Sequence, residues 1–105
     1  DIDLPLGKIK IRLGGSSAGH HGIESIIQTL DCSTFMRFRL GVGRGLLEEK
    51  KHSKQNLKRH YVVKYVVSRF NTNEEGKDRK LIKQASGAVE TALNFGLQRA
   101  MNEYN

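Results

Sequence analysis

Two short runs that alternate strictly between apolar and basic residues constrain this chain's fold more than any other feature. Lys8-Ile9-Lys10-Ile11-Arg12-Leu13 sets apolar side chains at 9, 11 and 13 against basic ones at 8, 10 and 12. Arg37-Phe38-Arg39-Leu40-Gly41-Val42 repeats the pattern, with Phe38, Leu40 and Val42 on one side and Arg37 and Arg39 on the other. Successive side chains of a strand point to opposite faces, so each run reads as a strand with one buried face and one basic face. If the two are neighbours in one sheet, the basic rows converge on one rim. Guanidinium forks from two strands can clamp a phosphate there. The same alternation also fits a merely solvated face of an antiparallel sheet.

Between the strands lies GGSSAGHHGIESII, residues 14–27. Small residues lead into Ile23, Ile26, Ile27 and Leu30, spaced i, i+3, i+4 and i+7 as on one stripe of an amphipathic helix. A turn at 31–34 closes the unit. A helix start near His21-Gly22 offers unpaired N–H groups and a positive dipole end, suited to a phosphate or a developing oxyanion.

The next stretch, 45–60, is polar, basic and aperiodic, and reads as an insert. Lys50, Lys51, Lys54, Lys58 and Arg59 outnumber Glu48 and Glu49. It is either a solvated loop or an electrostatic arm for nucleic acid. YVVKYVVSRF, residues 61–70, fits a strand or a short helix equally well. Thr72 to Glu75 then matches a capping box. Leu81, Ile82, Ala85, Val89, Ala92, Leu93, Gly96, Leu97 and Met101 keep a helical period almost to the end, predicting one long C-terminal helix.

Composition narrows the function classes. A net charge of +7 on 105 residues favours a polyanionic partner. A single cysteine, Cys32, excludes an internal disulfide framework and fits a reducing compartment. No run approaches a membrane span, and no signal or transit peptide is visible, so a soluble single domain is expected.

Several site chemistries fail on spacing. Gly14 to Gly19 has the glycine spacing of a phosphate-binding Walker loop, but His20 and His21 stand where Lys and Ser/Thr are needed. GVGRGL carries Leu46 where a dinucleotide fingerprint needs its third glycine. His20, His21, Cys32, His52 and His60 show no zinc-ligand spacing, and no metal or other cofactor is expected. Cys32 near a helix C-terminus is poorly placed for a thiolate nucleophile.

DIDLPLGKIKIRLGGSSAGHHGIESIIQTL, followed by MRFRLGVGRG, resembles the second half of bacterial-type peptidyl-tRNA hydrolases. Those proteins read D-I/L-D-L-P-x-G, a basic strand, G-G-x-x-G-x-H-N-G-L/I-x-S-I-I, then R-L/F-R-I/L-G-I/V-G-R. The match is close from Asp1 to Arg44 and weakens to an outline beyond the insert.

The resemblance implies a single α/β domain whose mixed sheet is flanked by helices, with residues 1–105 as its C-terminal portion. It implies cleavage of the ester joining a peptide to the 3′ end of tRNA. The family's histidine base, its orienting aspartate and a G-x-G-N-P-G strand would all lie upstream of Asp1, so the 105 residues alone are expected to be inactive. Asp3 matches a second, non-catalytic aspartate. Arg12 and Arg39 match the basic pair that holds a tRNA phosphate, with Lys10 beside them on the same strand face. His20 matches the histidine of H-N-G. His21 stands at that motif's asparagine, whose amide contacts the substrate and helps place the attacked carbonyl. Imidazole lacks the paired donor and acceptor of an amide, and its protonation would make the site pH-sensitive.

Peptidyl-tRNA is thus the expected partner, with the ribosome as a further candidate, for a protein that is monomeric when complete. It would work in the cytoplasm or the mitochondrial matrix. The alternative is a non-catalytic tRNA- or rRNA-binding relative, ribosome-associated. A generic helix-turn-helix DNA binder ranks last, since no pair of short helices flanks a tight turn. Taken alone, the chain is expected to expose apolar strand edges and not to fold autonomously.

Overall fold

A computed structural model gives the fold and describes residues 1–45 and 59–105. The two alternating runs form strands β1 (Ile9–Leu13) and β2 (Met36–Leu40), joined through helix α1 (His21–Leu30). They pair antiparallel in the register Ile9 to Leu40, Lys10 to Arg39, Ile11 to Phe38, Arg12 to Arg37 and Leu13 to Met36. Each rung is therefore wholly apolar or wholly basic, so one face of the ribbon is greasy and the other cationic. The mixed sheet implied by the resemblance is represented, among the described residues, by these two antiparallel strands.

The segment before β1 is laced to the end of β2. Gly41 N–H donates to Lys8 O at 2.7 Å, Val42 N–H to Asp1 O at 3.0 Å, and Gly43 N–H to Leu4 O at 2.9 Å. Helix α2 (Arg59–Val66) makes the first six residues of the ambiguous YVVKYVVSRF run helical, and the run leaves the helix after Val66. Its half-buried Tyr61, Val62 and Tyr65 lie on one side at helical spacing, and the Tyr65 hydroxyl reaches Val42 O at 3.4 Å. The basic insert lies almost wholly outside the described residues, its last two forming the start of α2.

The expected single C-terminal helix is two. Helix α3 (Glu75–Phe95) stops at Gly96, and α4 (Leu97–Tyr104) folds back on it. Gly96 sits at φ +96, ψ 161, a conformation that costs a side-chain-bearing residue dearly, so the break falls there although the apolar period runs on. The cap also differs from expectation. Asn71 N–H donates to Glu74 Oε1 at 3.1 Å while Glu74 N–H donates to Asn71 Oδ1 at 3.0 Å, so the reciprocal bonds join Asn71 and Glu74 in the turn before α3 rather than Thr72 and Glu75, and the N-cap residue Glu74 makes no side-chain capping bond to the helix.

The core is small. Ile9 and Ile11 from the greasy ribbon face pack with Leu81, Ala88, Ala92 and Ala100, supported by Phe38, Leu40, Ala85, Leu97, Met101 and Tyr104. Alanines line the contact because they let α3 and α4 approach closely. Ile82, Val89 and Leu93, which share the periodic pattern, face outward instead. Asn105 completes the arrangement: its side-chain carbonyl accepts from Ile11 N–H at 2.5 Å and its amide donates to Ile11 O at 3.0 Å. It thus stands in for a strand partner on the free edge of β1.

The end of the ribbon and helix α1 also leave apolar side chains uncovered among the described residues. Leu13 and Met36, the last rung of the ribbon, are 56% and 45% exposed, although alternation puts Leu13 with Ile9 and Ile11. Helix α1 buries none of its residues despite its apolar stripe.

Candidate functional site

The cationic ribbon face carries two successive basic rungs, Lys10/Arg39 and Arg12/Arg37. Like charges directly opposite one another disfavour a sheet, so what compensates each one matters. Arg39 Nε donates to Asp1 Oδ2 at 2.8 Å, a partly buried ion pair. Arg44, just beyond, donates to Asp3 Oδ1 at 2.5 Å. Arg37 Nη1 donates to the carbonyl of Ser16 at 2.8 Å, while its Nε is buried without a hydrogen-bond partner. Lys10 and Arg12 are exposed and unpaired among the described residues. The backbone nitrogen of Asp1 donates to Leu40 O at 2.7 Å. On α2, burial and then Glu74 push the Tyr65 hydroxyl above its ordinary value.

The loop after β1 begins with Gly14 N–H donating to Phe35 O at 2.9 Å. Gly15, at φ +108, passes directly under the ribbon's arginines. A Cβ there would meet the guanidinium groups of both Arg37 and Arg12, which would have to move aside, and the positive φ itself favours glycine. Ala18 also adopts a left-handed conformation, φ +49.

His20 and His21 then start α1 in different roles. His20 is the N-cap: its Nδ1 accepts from Ile23 N–H at 3.1 Å, so that nitrogen is unprotonated and serves the helix. His21 projects outward, 70% exposed, with Nδ1 3.1 Å from Glu24 Oε2. Glu24 in turn accepts from Ser17 Oγ at 3.4 Å. With the proton on Nδ1 directed at the carboxylate, the Nε2 lone pair of His21 faces outward. The helix start thus combines free N–H groups, an oriented imidazole and a carboxylate.

Of the residues singled out from sequence, Lys10, Arg12 and Arg39 share one ribbon face, and His20 and His21 share the first turn of α1. The contact of Arg37 with Ser16 ties the two groups together through the loop. Arg12 stands opposite Arg37 rather than Arg39, so the expected pair is diagonal across the ladder. Sequence reasoning missed two partners. Glu24 was legible, lying three residues after His21 on a predicted helix. The fold of Gly15 beneath Arg12 and Arg37 carried no local signal. Among the described residues, no three metal-binding side chains come together, and no helix is long and apolar enough to cross a membrane.

A family model described as peptidyl-tRNA hydrolase matches residues 1–105. Curated relatives of that name include one from Thermodesulfovibrio yellowstonii, 36% identical over all of this chain and 50% of its own length. Another, from Dehalococcoides mccartyi, is 41% identical, again over the whole chain and 51% of its own length. Among solved structures, the peptidyl-tRNA hydrolase of Acinetobacter baumannii superposes with a TM-score of 0.74 at 24% identity, over 100% of this chain and 47% of that one. The chain spans about half the length of the curated relatives it matches and corresponds to their C-terminal half.

Proposed function

Because the chain belongs to the peptidyl-tRNA hydrolase family, we propose that the protein cleaves the ester between a peptide and the 3′ end of tRNA, and that residues 1–105 supply its tRNA-facing half. The match of the family across the whole chain, cationic ribbon and histidine loop included, carries this reading. Lys10, Arg12 and Arg39 hold tRNA phosphates, each charge-assisted contact contributing about 1.5–3 kcal/mol. His20 organises the helix start by capping it. His21 meets the substrate at the loop, as acceptor through Nε2 when neutral and as donor when protonated. The family's histidine base and its aspartate match none of the 105 residues. Water attack on the ester therefore needs the other half of the domain, and the reading calls for no cofactor. A single copy suffices, working where peptidyl-tRNA is made, in the cytoplasm or the mitochondrial matrix.

His21 at the family's asparagine favours a second reading, a non-catalytic tRNA- or rRNA-binding relative that acts beside the ribosome. One experiment separates the two: incubation of the full-length protein with an N-blocked aminoacyl-tRNA. Release of the blocked amino acid, slowed about 10²-fold or more by removal of the upstream histidine, supports hydrolysis. Salt-sensitive tRNA binding without release supports the second reading.

A further inference from the structure

The two histidines that open α1 are held as opposite tautomers. His20 Nδ1 accepts from Ile23 N–H at 3.1 Å, so the proton of its neutral ring sits on Nε2. His21 Nδ1 lies 3.1 Å from Glu24 Oε2. An ionised carboxylate only accepts, so the proton of that ring sits on Nδ1 and Nε2 keeps its lone pair. Glu24 is itself held. Its other oxygen accepts from Ser17 Oγ at 3.4 Å, and the Ser17 carbonyl accepts from His20 N–H at 2.9 Å, which ties Ser17 to the helix start. The chain Ser17–Glu24–His21 thus ends on one outward acceptor. The His21 and Glu24 side chains are 70% and 43% exposed, so their contact contributes little to folding and acts on orientation instead. The hydrolase motif leaves positions 17 and 24 open and has asparagine at 21, so it prescribes none of these three residues.

We propose that Glu24, braced by Ser17, is a positioning residue that fixes the Nδ1–H tautomer of His21 and so commits the ring to accept a hydrogen bond from the substrate. This rests on the reading of the protein as a peptidyl-tRNA hydrolase and deepens it. An asparagine amide carries both a donor and an acceptor and can turn either toward a partner. A neutral imidazole shows only one of them on its outer nitrogen, and the bond made by its inner nitrogen decides which. Without Glu24 both tautomers are open, and part of the population points a proton at its partner. With Glu24, His21 meets an N–H or O–H rather than a carbonyl. Near the ester of a peptidyl-tRNA such donors are the N–H of the adjoining peptide bond and the 2′-hydroxyl of the terminal ribose.

The test uses the full-length protein and an N-blocked aminoacyl-tRNA. Nitrogen chemical shifts of the neutral rings are expected to put the His21 proton on Nδ1 and the His20 proton on Nε2. Glu24→Ala should release the His21 tautomer and leave that of His20 in place. Glu24→Gln, whose amide oxygen still accepts, should retain most of it. kcat/KM should fall about 3–10-fold in Glu24→Ala, the size of one oriented hydrogen bond, and less in Glu24→Gln and Ser17→Ala. In a His21→Asn background the same Glu24→Ala change should cost less than about 2-fold, because an amide needs no tautomer set for it. Substrates with the amide nitrogen methylated or the 2′-hydroxyl removed tell the two donors apart. Loss of the donor that His21 meets should abolish the difference between the unaltered protein and Glu24→Ala.

A His21 ring protonated on Nε2 in the unaltered protein, or an unchanged tautomer in Glu24→Ala, would overturn the proposal. So would an equal loss from Glu24→Ala in the His21 and His21→Asn backgrounds, which would make Glu24 a support of the helix start and nothing more. A Glu24 effect that survives loss of either donor would overturn the acceptor role. If the unaltered protein hydrolyses the ester and Glu24→Ala does so equally well, the positioning role alone fails. If the unaltered protein releases no blocked amino acid, the hydrolase reading fails and this role fails with it.

Discussion

Helices α1 and α3 both carry apolar periodic positions, and only α3 buries part of its own, Ile82, Val89 and Leu93 staying exposed. In α3, Leu81, Ala88 and Ala92 are buried against the greasy ribbon face and α4. In α1, Ile23, Ile26, Ile27 and Leu30 form an equally regular stripe, yet no residue of the helix is buried. The difference lies in what surrounds the stripes rather than in the stripes themselves. Among the described residues, one face of α3 has its packing partners and the stripe of α1 does not. Periodicity says that a face wants cover; only the neighbours say whether it gets any.

The largest effect that would sharpen this comparison is on folding itself. The isolated 105 residues should show helical far-ultraviolet ellipticity without a cooperative thermal transition, because a two-stranded ribbon and six buried hydrophobic residues, among the described ones, make a marginal core. A sharp melt would break the comparison by showing that α1 needs no cover. Next, in the full-length protein, Ile11→Ala should cost about 2–5 kcal/mol by urea titration, since Ile11 is only 1% exposed at the centre of the core. Asn105→Ala should cost about 1–3 kcal/mol in the same measurement, by leaving the backbone of Ile11 unpaired. Asn71→Ala should cost about 1 kcal/mol through loss of its side-chain bond to Glu74 in the turn that leads into α3. Smallest of all, Ile26→Ala should change the helicity of the isolated chain by no more than about 0.5 kcal/mol would produce, because Ile26 is 44% exposed there.

A similar division runs through the site. The basic face of the ribbon was legible because a period of two sets Lys10 with Arg12, and Arg37 with Arg39, opposite the apolar row of each strand, and the two apolar rows must share the buried face. The helix start at His21 was legible from the stripe that follows it. That His20 would act as the cap while His21 turned outward to Glu24 was not, since both histidines offer the same chemistry to a reader of sequence. The partner of Arg12 was likewise hidden. Antiparallel register, set by the loop and by the apolar rungs, placed Arg37 opposite it and moved Arg39 to Asp1, 38 residues away in the chain.

Local sequence, then, determined the alternating strands, the amphipathic helices, the positive charge and the histidine loop, because each depends on neighbours within a turn or a strand. Tertiary structure decided the rest. It broke the C-terminal helix at Gly96, buried the alanine stripe of α3 in place of Ile82 and Leu93, and brought two arginines over Gly15 with no carboxylate bonded to either among the described residues. The reason is common to all three: burial and charge compensation are properties of the residues that meet in space, and the chain distance between them leaves no period to read.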